Sequence, residues 1–399
     1  MGLVLEGIMN RTISLTTAIL LFLLVITLGC SSETASTQKA VLAFEGGFLY
    51  KAEKIHVAQL NGDYKEMGRQ YGYLLRSQIE SYYETAINDH PPWGGNWSRE
   101  DAEGFARGNY KNYPERAKEI FNGMSETSGL SIDQLILIDQ YTELFVVSQL
   151  FGCSGLAAWG SYTLDGSVVL GKNEDMPEFF KEFNESLVVV IYNPDDGSHS
   201  VASVCNAGQA KVMNAISDAG LANVTYQAPF IEPSDMSMTR IPLFINHLMF
   251  LLDSDSLSEL ESALLGYLPP NSINGTAADT KSAFSYEVSP SRCVVRQSDQ
   301  DGLTVETNHY VDPSWDSPGD DTKDSEERRN NLLALAESYK GTIDAEVMME
   351  IFDIPKSQGG ATVHDTTYQV VVVPSQLKIW VKVPDYQDWV GVDLNPLFQ

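Results

Sequence analysis

Apolar positions along the chain follow two different periods. From residue 64 to residue 82, Tyr64, Met67, Tyr71, Leu74, Leu75, Ile79 and Tyr82 recur every three or four positions, the spacing of one helix face. The pattern predicts two more helices, over 114–127 and over 131–150. The second opens on Ser131-Ile132-Asp133-Gln134, a sequence suited to a helix start. Residues 40–152 therefore read as mostly helical after one short strand. Beyond them, short apolar runs dominate. Strands are predicted over 155–162 and 167–171, joined by a turn at Leu164-Asp165-Gly166, because Asp-Gly between apolar runs favours a hairpin. Further strands are predicted over 187–192, 201–204, 221–227, 284–288, 293–297, 304–308, 368–373 and 377–383. Between them lie helical patterns over 241–252, 257–265 and 347–352. The stretch 228–238 reads as a polar loop, and 316–327 as an acidic loop followed by a helix to residue 339. Strand-rich blocks on either side of helix pairs establish an α+β class and nothing finer.

The start of the chain carries a different signal. Residues 12–29 are apolar, with Arg11 in front and a Ser/Thr-rich tether after Cys30. This predicts a signal peptide over 1–29 and a tether over 30–39, with Met9 an alternative start to Met1. Leu28-Gly29-Cys30 resembles a lipoprotein cleavage site with Cys30 as the acylated residue, although Thr27 departs from the usual pattern. An uncleaved anchor helix and ordinary secretion are the alternatives. In each case the protein is exported, and any membrane contact is made through the N-terminal lipid or anchor.

Composition narrows the partners. The 399 residues carry a formal net charge of −28, which argues against nucleic acid and anionic membrane surfaces. A hydrophobic fraction of 43% is ample for a large core. The six histidines are scattered, no Cys/His spacing suits zinc, and no metal or other cofactor is expected. Cys205 and Cys293 remain as either a disulfide or two separate buried thiols.

Candidate chemistry collects at the hairpin. Cys153 opens its first strand, and Lys172 and Asp175 lie at the end of its second. A hairpin brings its ends together, so a thiol, a cation and a carboxylate become neighbours, the material of an activated nucleophile. A cysteine flanked by glycines is also a common small buried residue.

The run Gly152-Cys153-Ser154-Gly155, continued by Asp165-Gly166-Ser167-Val168-Val169-Leu170-Gly171-Lys172-Asn173-Glu174-Asp175, resembles the N-terminal-nucleophile hydrolases. The likeness is strongest to the acyl-coenzyme A:6-aminopenicillanic acid acyltransferase family. Choloylglycine hydrolases and the dipeptidases of the superfamily stand further off. The segment before the cysteine is similar as well: Met67-Gly68-Arg69-Gln70-Tyr71-Gly72, then Tyr113-Pro114-Glu115, then Gly129-Leu130-Ser131-Ile132-Asp133-Gln134-Leu135, then Glu143. The resemblance implies a four-layer αββα sandwich over 153–399 and a helical precursor segment over 40–152, which cleavage between Gly152 and Cys153 would turn into β- and α-subunits. The freed cysteine would carry both the nucleophilic sulfur and the α-amine serving as its base. An α-amine titrates near ~8 and exchanges protons at neutral pH without a histidine.

Three more motifs extend the resemblance. Gly220-Leu221-Ala222-Asn223-Val224 makes Asn223 an oxyanion-donor candidate. Glu306-Thr307-Asn308-His309-Tyr310 makes Asn308 a second site asparagine, bonding the α-amine or the oxyanion. Ser325-Glu326-Glu327-Arg328 brings Arg328 to the site. Asp175 is expected to orient the α-amine. Lys172 stands where choloylglycine hydrolases have arginine, and lysine cannot form a bidentate fork. The implied substrate is a small linear amide or thioester, with acyl transfer to water or an amine. A dipeptidase-like peptidase and a non-catalytic, ligand-binding surface lipoprotein are the rival readings.

Overall fold

The computed structural model describes residues 40–92, 98–146, 152–229, 240–317, 319 and 322–399. The expected signal peptide, Cys30 and the tether lie outside the described residues.

Two β-sheets lie face to face. The larger runs in the order β1 (Leu42–Phe44), β2 (Gly47–Ala52), β3 (Ile55–Gly62), β6 (Leu187–Pro194), β7 (Val201–Asn206), β8 (Asn214–Ser217), β9 (Ala222–Gln227), β10 (Ile273–Ala278), β11 (Ala283–Val288) and β12 (Cys293–Arg296). The smaller runs β13 (Leu303–Glu306), β4 (Gly152–Ala158), β5 (Val169–Asp175), β14 (Thr366–Val373), β15 (Lys378–Val383) and β16 (Gln387–Asp393). Neighbours pair antiparallel except β3 and β6, which run parallel from His56 opposite Val188 to Gly62 opposite Pro194.

Strand alternation sorts side chains onto the two faces. Val57, Val189, Val224 and Tyr226 of the large sheet meet Cys153, Leu170, Val370 and Val381 of the small one in a shared core. The intervening residues Ala58, Leu60, Val188 and Val190 face helices on the outer side, packing with Met67, Tyr71, Phe121 and Leu248. On the far side of the small sheet, Leu156, Val169 and Val371 pack with Leu332, Ala336, Met348 and Phe352. The chain is thus a four-layer αββα sandwich.

Glycines set two close approaches. A Cβ on Gly155 would lie 2.0 Å from the Tyr226 hydroxyl, so the sheets meet closely beside Cys153 because residue 155 has no side chain. A Cβ on Gly68 would lie 2.1 Å from the Ile120 carbonyl, which lets helices Tyr64–Leu74 and Glu115–Thr127 cross backbone to backbone.

The structure departs from the sequence expectations in several places. The segment 40–62 forms three strands, not one, and these belong to the large sheet. The segment before Cys153 is therefore not a purely helical unit. Helix Arg99–Tyr110, started by a Ser98–Asp101 capping box, was not anticipated. The pattern over 131–150 breaks at Gln140 into Ile132–Asp139 and Tyr141–Val146. Helix Lys323–Ser338 begins inside the acidic stretch, where Asp324 and Glu326 in its first turn complement the helix dipole. Strands β8, β10 and β16 were missed; Ile273-Asn274-Gly275-Thr276-Ala277-Ala278 has too few large apolar residues to show alternation.

Candidate active site

Strands β4 and β5 pair antiparallel, with Gly152 opposite Asp175 and Cys153 opposite Glu174. On the other flank of β4, β13 stops at Glu306, which lies opposite Gly155. The main-chain groups of Cys153 thus extend past the ladder, and side chains from the segments following β13 take them up. The Cys153 N–H donates to Asn308 Oδ1 at 2.7 Å. The Cys153 carbonyl accepts from Arg328 at 2.5 Å. Arg328 also donates to Asn308 Oδ1 at 2.9 Å and to Asp324 at 2.8 Å, and it lies 3.6 Å from Asp175 Oδ2. Asn308 is fixed in turn: its amide donates to the Gln227 carbonyl, and its main-chain N–H donates to Ser325 Oγ.

Both polar main-chain groups of Cys153 point away from β5. Cys153 and Glu174 therefore form a non-hydrogen-bonded cross-strand pair, the kind whose side chains lie closest. The Cys153 thiol donates to Glu174 Oε1 at 3.6 Å. The other oxygen of Glu174 accepts from Lys172 Nζ at 2.5 Å and from the Tyr368 hydroxyl at 3.4 Å. Lys172 and Glu174 are both almost fully buried. Burial pushes the Cys153 thiol well above its ordinary range; the Glu174 carboxylate adds to the rise, and Lys172 opposes it. The thiol is therefore neutral at physiological pH in the continuous chain.

Asp175, the next residue along β5, points to the other face. Its Oδ1 accepts from Thr366 at 2.6 Å, while its buried Oδ2 has no hydrogen-bond partner. Burial raises its pKa to about 6, against the pull of Arg328. It stands beside Gly152, where an added Cβ would lie 3.3 Å from the Asp175 Cβ. The partner of the Cys153 nitrogen is Asn308, not Asp175.

The structure brings Cys153, Gly152, Asp175, Asn308 and Arg328 together, with Lys172 reaching the thiol through Glu174. It does not bring Asn223. In β9, Ala222, Val224 and Tyr226 point into the inter-sheet core, so Asn223 points to the helices, between Ala215 and Ala277. There its amide bonds His247 Nδ1 at 3.0 Å and accepts from the Tyr286 hydroxyl at 2.9 Å. Strand parity thus turns Asn223 away from Cys153. His309, adjacent to Asn308 in sequence, turns its ring to Ser325 Oγ at 2.7 Å and to Thr307. Burial and nearby Arg329 lower its pKa to about 4.

Sequence reasoning missed Glu174, although it lies within the run quoted for the resemblance. The signal was parity: in a hairpin that pairs Gly152 with Asp175, Glu174 shares the face of Cys153. Cys205 and Cys293 are separate free thiols. Among the described residues no group of His, Cys, Asp and Glu is placed to hold a metal, and no helix is long and apolar enough to cross a membrane.

Cys153 and Glu174 line a small cleft. Its walls include Met176, Met213, Tyr226, Phe244, Pro269 and Ile273, with Glu143 and Thr142 from the segment before the cysteine. Glu143 accepts from Lys211 Nζ at 2.9 Å in a buried lysine–glutamate pair like that of Lys172 and Glu174.

No protein-family model matches the chain, and no curated protein sequence matches it. Solved structures do. The conjugated bile acid hydrolase of Clostridium perfringens is similar at 15% identity with a TM-score of 0.44, over 61% of this chain and 93% of that one. The N-acylethanolamine-hydrolyzing acid amidase ortholog of Caenorhabditis elegans is similar at 17% identity and a TM-score of 0.44, over 61% of this chain and all of that one. Penicillin V acylase from Agrobacterium tumefaciens is similar at 10% identity and a TM-score of 0.43, over 62% of this chain and 88% of that one. Each likeness spans most of the other chain and under two thirds of this one.

Proposed function

We propose that the protein is a cysteine N-terminal-nucleophile amidohydrolase or acyltransferase that cuts itself between Gly152 and Cys153. The observation that carries this reading is the fixation of Cys153. Asn308 holds its nitrogen, Arg328 holds its carbonyl, and its thiol faces an apolar cleft. A merely structural cysteine does not need a buried guanidinium and an amide on its own main chain.

After the cut, the Cys153 nitrogen is an α-amine. In its neutral form it takes the thiol proton as the sulfur attacks a substrate carbonyl. Collapse of the tetrahedral intermediate leaves an acyl group on sulfur and returns the proton to the leaving amine or thiol. Water or an acceptor amine then releases the acyl group. Arg328 and Asn308 keep sulfur and nitrogen in one geometry through these steps. The cleft walls favour an amide or thioester with an apolar acyl part, which sets this reading ahead of a dipeptidase. The apolar run over 12–29 and Cys30 support export and attachment at the cell surface.

Intact mass and turnover of a panel of N-acyl amino acids and acyl thioesters test the reading together. The wild type is expected as two chains, the second beginning at Cys153, and active. Cys153→Ala is expected as one chain without activity. An uncut, fully active wild type rules the mechanism out.

A further inference from the structure

An N-terminal nucleophile with an α-amine for its base has a difficulty before that amine exists. In the continuous chain the Cys153 nitrogen is an amide, already donating to Asn308, and it can accept no proton. The thiol is buried and neutral. Some other group must take its proton when it first attacks the Gly152 carbonyl.

The geometry points to Glu174: we propose that its carboxylate is the base of self-cleavage, a catalytic residue for that step and distinct from the α-amine base of later turnover. The proposal rests on the reading of Cys153 as a self-cleaving nucleophile. The Cys153 thiol donates to Glu174 Oε1 at 3.6 Å, and its other neighbour, the Gln227 main chain, can take no proton. The cross-strand register holds the two side chains on one face. Lys172 and the Tyr368 hydroxyl occupy the other oxygen, which keeps Oε1 turned to the sulfur. The alternative carboxylate, Asp175, lies on the opposite face of β5, with Thr366 and Arg328. His309 is engaged with Ser325 and Thr307.

The step balances as follows. The thiol proton passes to Glu174 Oε1 as the sulfur bonds to the Gly152 carbonyl carbon. The C–N bond to Cys153 then breaks. Its electron pair goes to nitrogen, and the proton on Glu174 follows it. The products are a Gly152 thioester and a free α-amine, an isomer of the starting chain. Water hydrolyses the thioester, leaving a Gly152 carboxylate and the Cys153 thiol. Glu174 ends ionised beside Lys172, as it began.

The experiment follows the full chain from synthesis, as a pulse of cell-free translation sampled over time and resolved by intact mass. Positioned bases contribute roughly 10²–10⁴-fold to rate, so Glu174→Gln is expected to cut at least about 100-fold more slowly than wild type. Asp175→Asn is expected to slow cutting by less. Glu174→Ala is expected to regain cutting when formate is added, because the carboxylate then enters the space the side chain leaves. Cutting of Glu174→Gln at the wild-type rate overturns the assignment while leaving self-cleavage in place. So does an Asp175→Asn chain that stays uncut while Glu174→Gln matures. Loss of the cooperative thermal transition in both Glu174 variants assigns a structural role and also overturns it. A wild type that never cuts removes the underlying reading instead, and the proposal with it.

Discussion

Among the described residues two lysine–glutamate pairs are buried, and they do different work. Lys172 and Glu174 are two residues apart on one strand and share its inner face. Such a pair ties no distant parts of the chain together. Its consequence is local: a carboxylate held beside the Cys153 thiol, with a cation to balance it. Lys211 and Glu143 come from opposite sides of the proposed cut. Glu143 stands on helix Tyr141–Val146, and Lys211 follows β7 and also lies over the Phe244 ring. Asp139 adds a third charge, accepting from the Tyr113 hydroxyl and the Ala210 N–H. This pair docks the segment before Cys153 onto the remainder. A buried ion pair is therefore not a stability device by virtue of being buried: desolvation offsets much of its attraction, and its use depends on what it joins.

The comparison can be broken most directly by removing each cation. Lys211→Met leaves Glu143 and Asp139 as uncompensated buried charges and is expected to cost about 3–5 kcal/mol of stability, read by denaturant unfolding. The double variant Lys211→Met/Glu143→Leu should recover most of that loss. Lys172→Met is expected to cost less, because Glu174 keeps Tyr368, and to act mainly on the rate of cutting. If Lys172→Met proves the more destabilising, the division of labour fails.

A smaller effect sharpens the same contrast between the helical face of the large sheet and the end of β4. Asn223→Ala removes partners from His247 and Tyr286 and should cost about 1–3 kcal/mol, leaving kcat near the wild-type value. Asn308→Ala should do the reverse, lowering activity at least tenfold with a modest change in the thermal transition. Loss of activity in Asn223→Ala with the fold intact would restore it to the site.

The smallest effect is in pH. Burial raises Asp139 to about 6 from an ordinary 3.8, with Glu143 adding to the rise. A carboxyl whose folded pKa is raised binds its proton more tightly in the folded state. Its contribution therefore favours folding at low pH and is lost as pH climbs from about 4 through about 6. Asp139→Asn should flatten the dependence of the thermal midpoint on pH across that window. An unchanged slope would assign it to other groups, Asp175 first among them.

Much of this was legible in the sequence, and the limits were physical. The hairpin was readable because two apolar runs flank Asp165-Gly166. Its register was not. A two-residue turn there would set Leu164 opposite Ser167 and Cys153 opposite Glu178. The strands instead end at Ala158 and Val169, with a 3₁₀ turn at Gly160–Tyr162 between them, and Cys153 meets Glu174. Glu174 was invisible for that reason. Asn223 was misplaced for a related one: a motif locates a residue along a strand, and parity decides its face. Asn308 and Arg328 came from motif order, which carries no distance. The strands within 40–62 were underestimated because β3 is buried in mid-sheet, where a short apolar run shows no clear alternation.

The placement of β3 bears on what the proposed cut would do to the protein. This strand precedes Cys153, yet it lies between β2 and β6 in the large sheet and is hydrogen-bonded along its length to a strand that follows Cys153. On the proposed cut, a sheet made by one chain becomes a sheet shared by two, with no bond remaining to bring them back together. A short tether is worth a local concentration in the millimolar range, and two separate chains at high dilution have no substitute for it. Refolding of the continuous chain would be a one-chain event, whereas a chain cut as proposed would have to find its partner. The instructions for assembly would then be used once, and after the proposed cut the lifetime of the protein would be set by how slowly it unfolds.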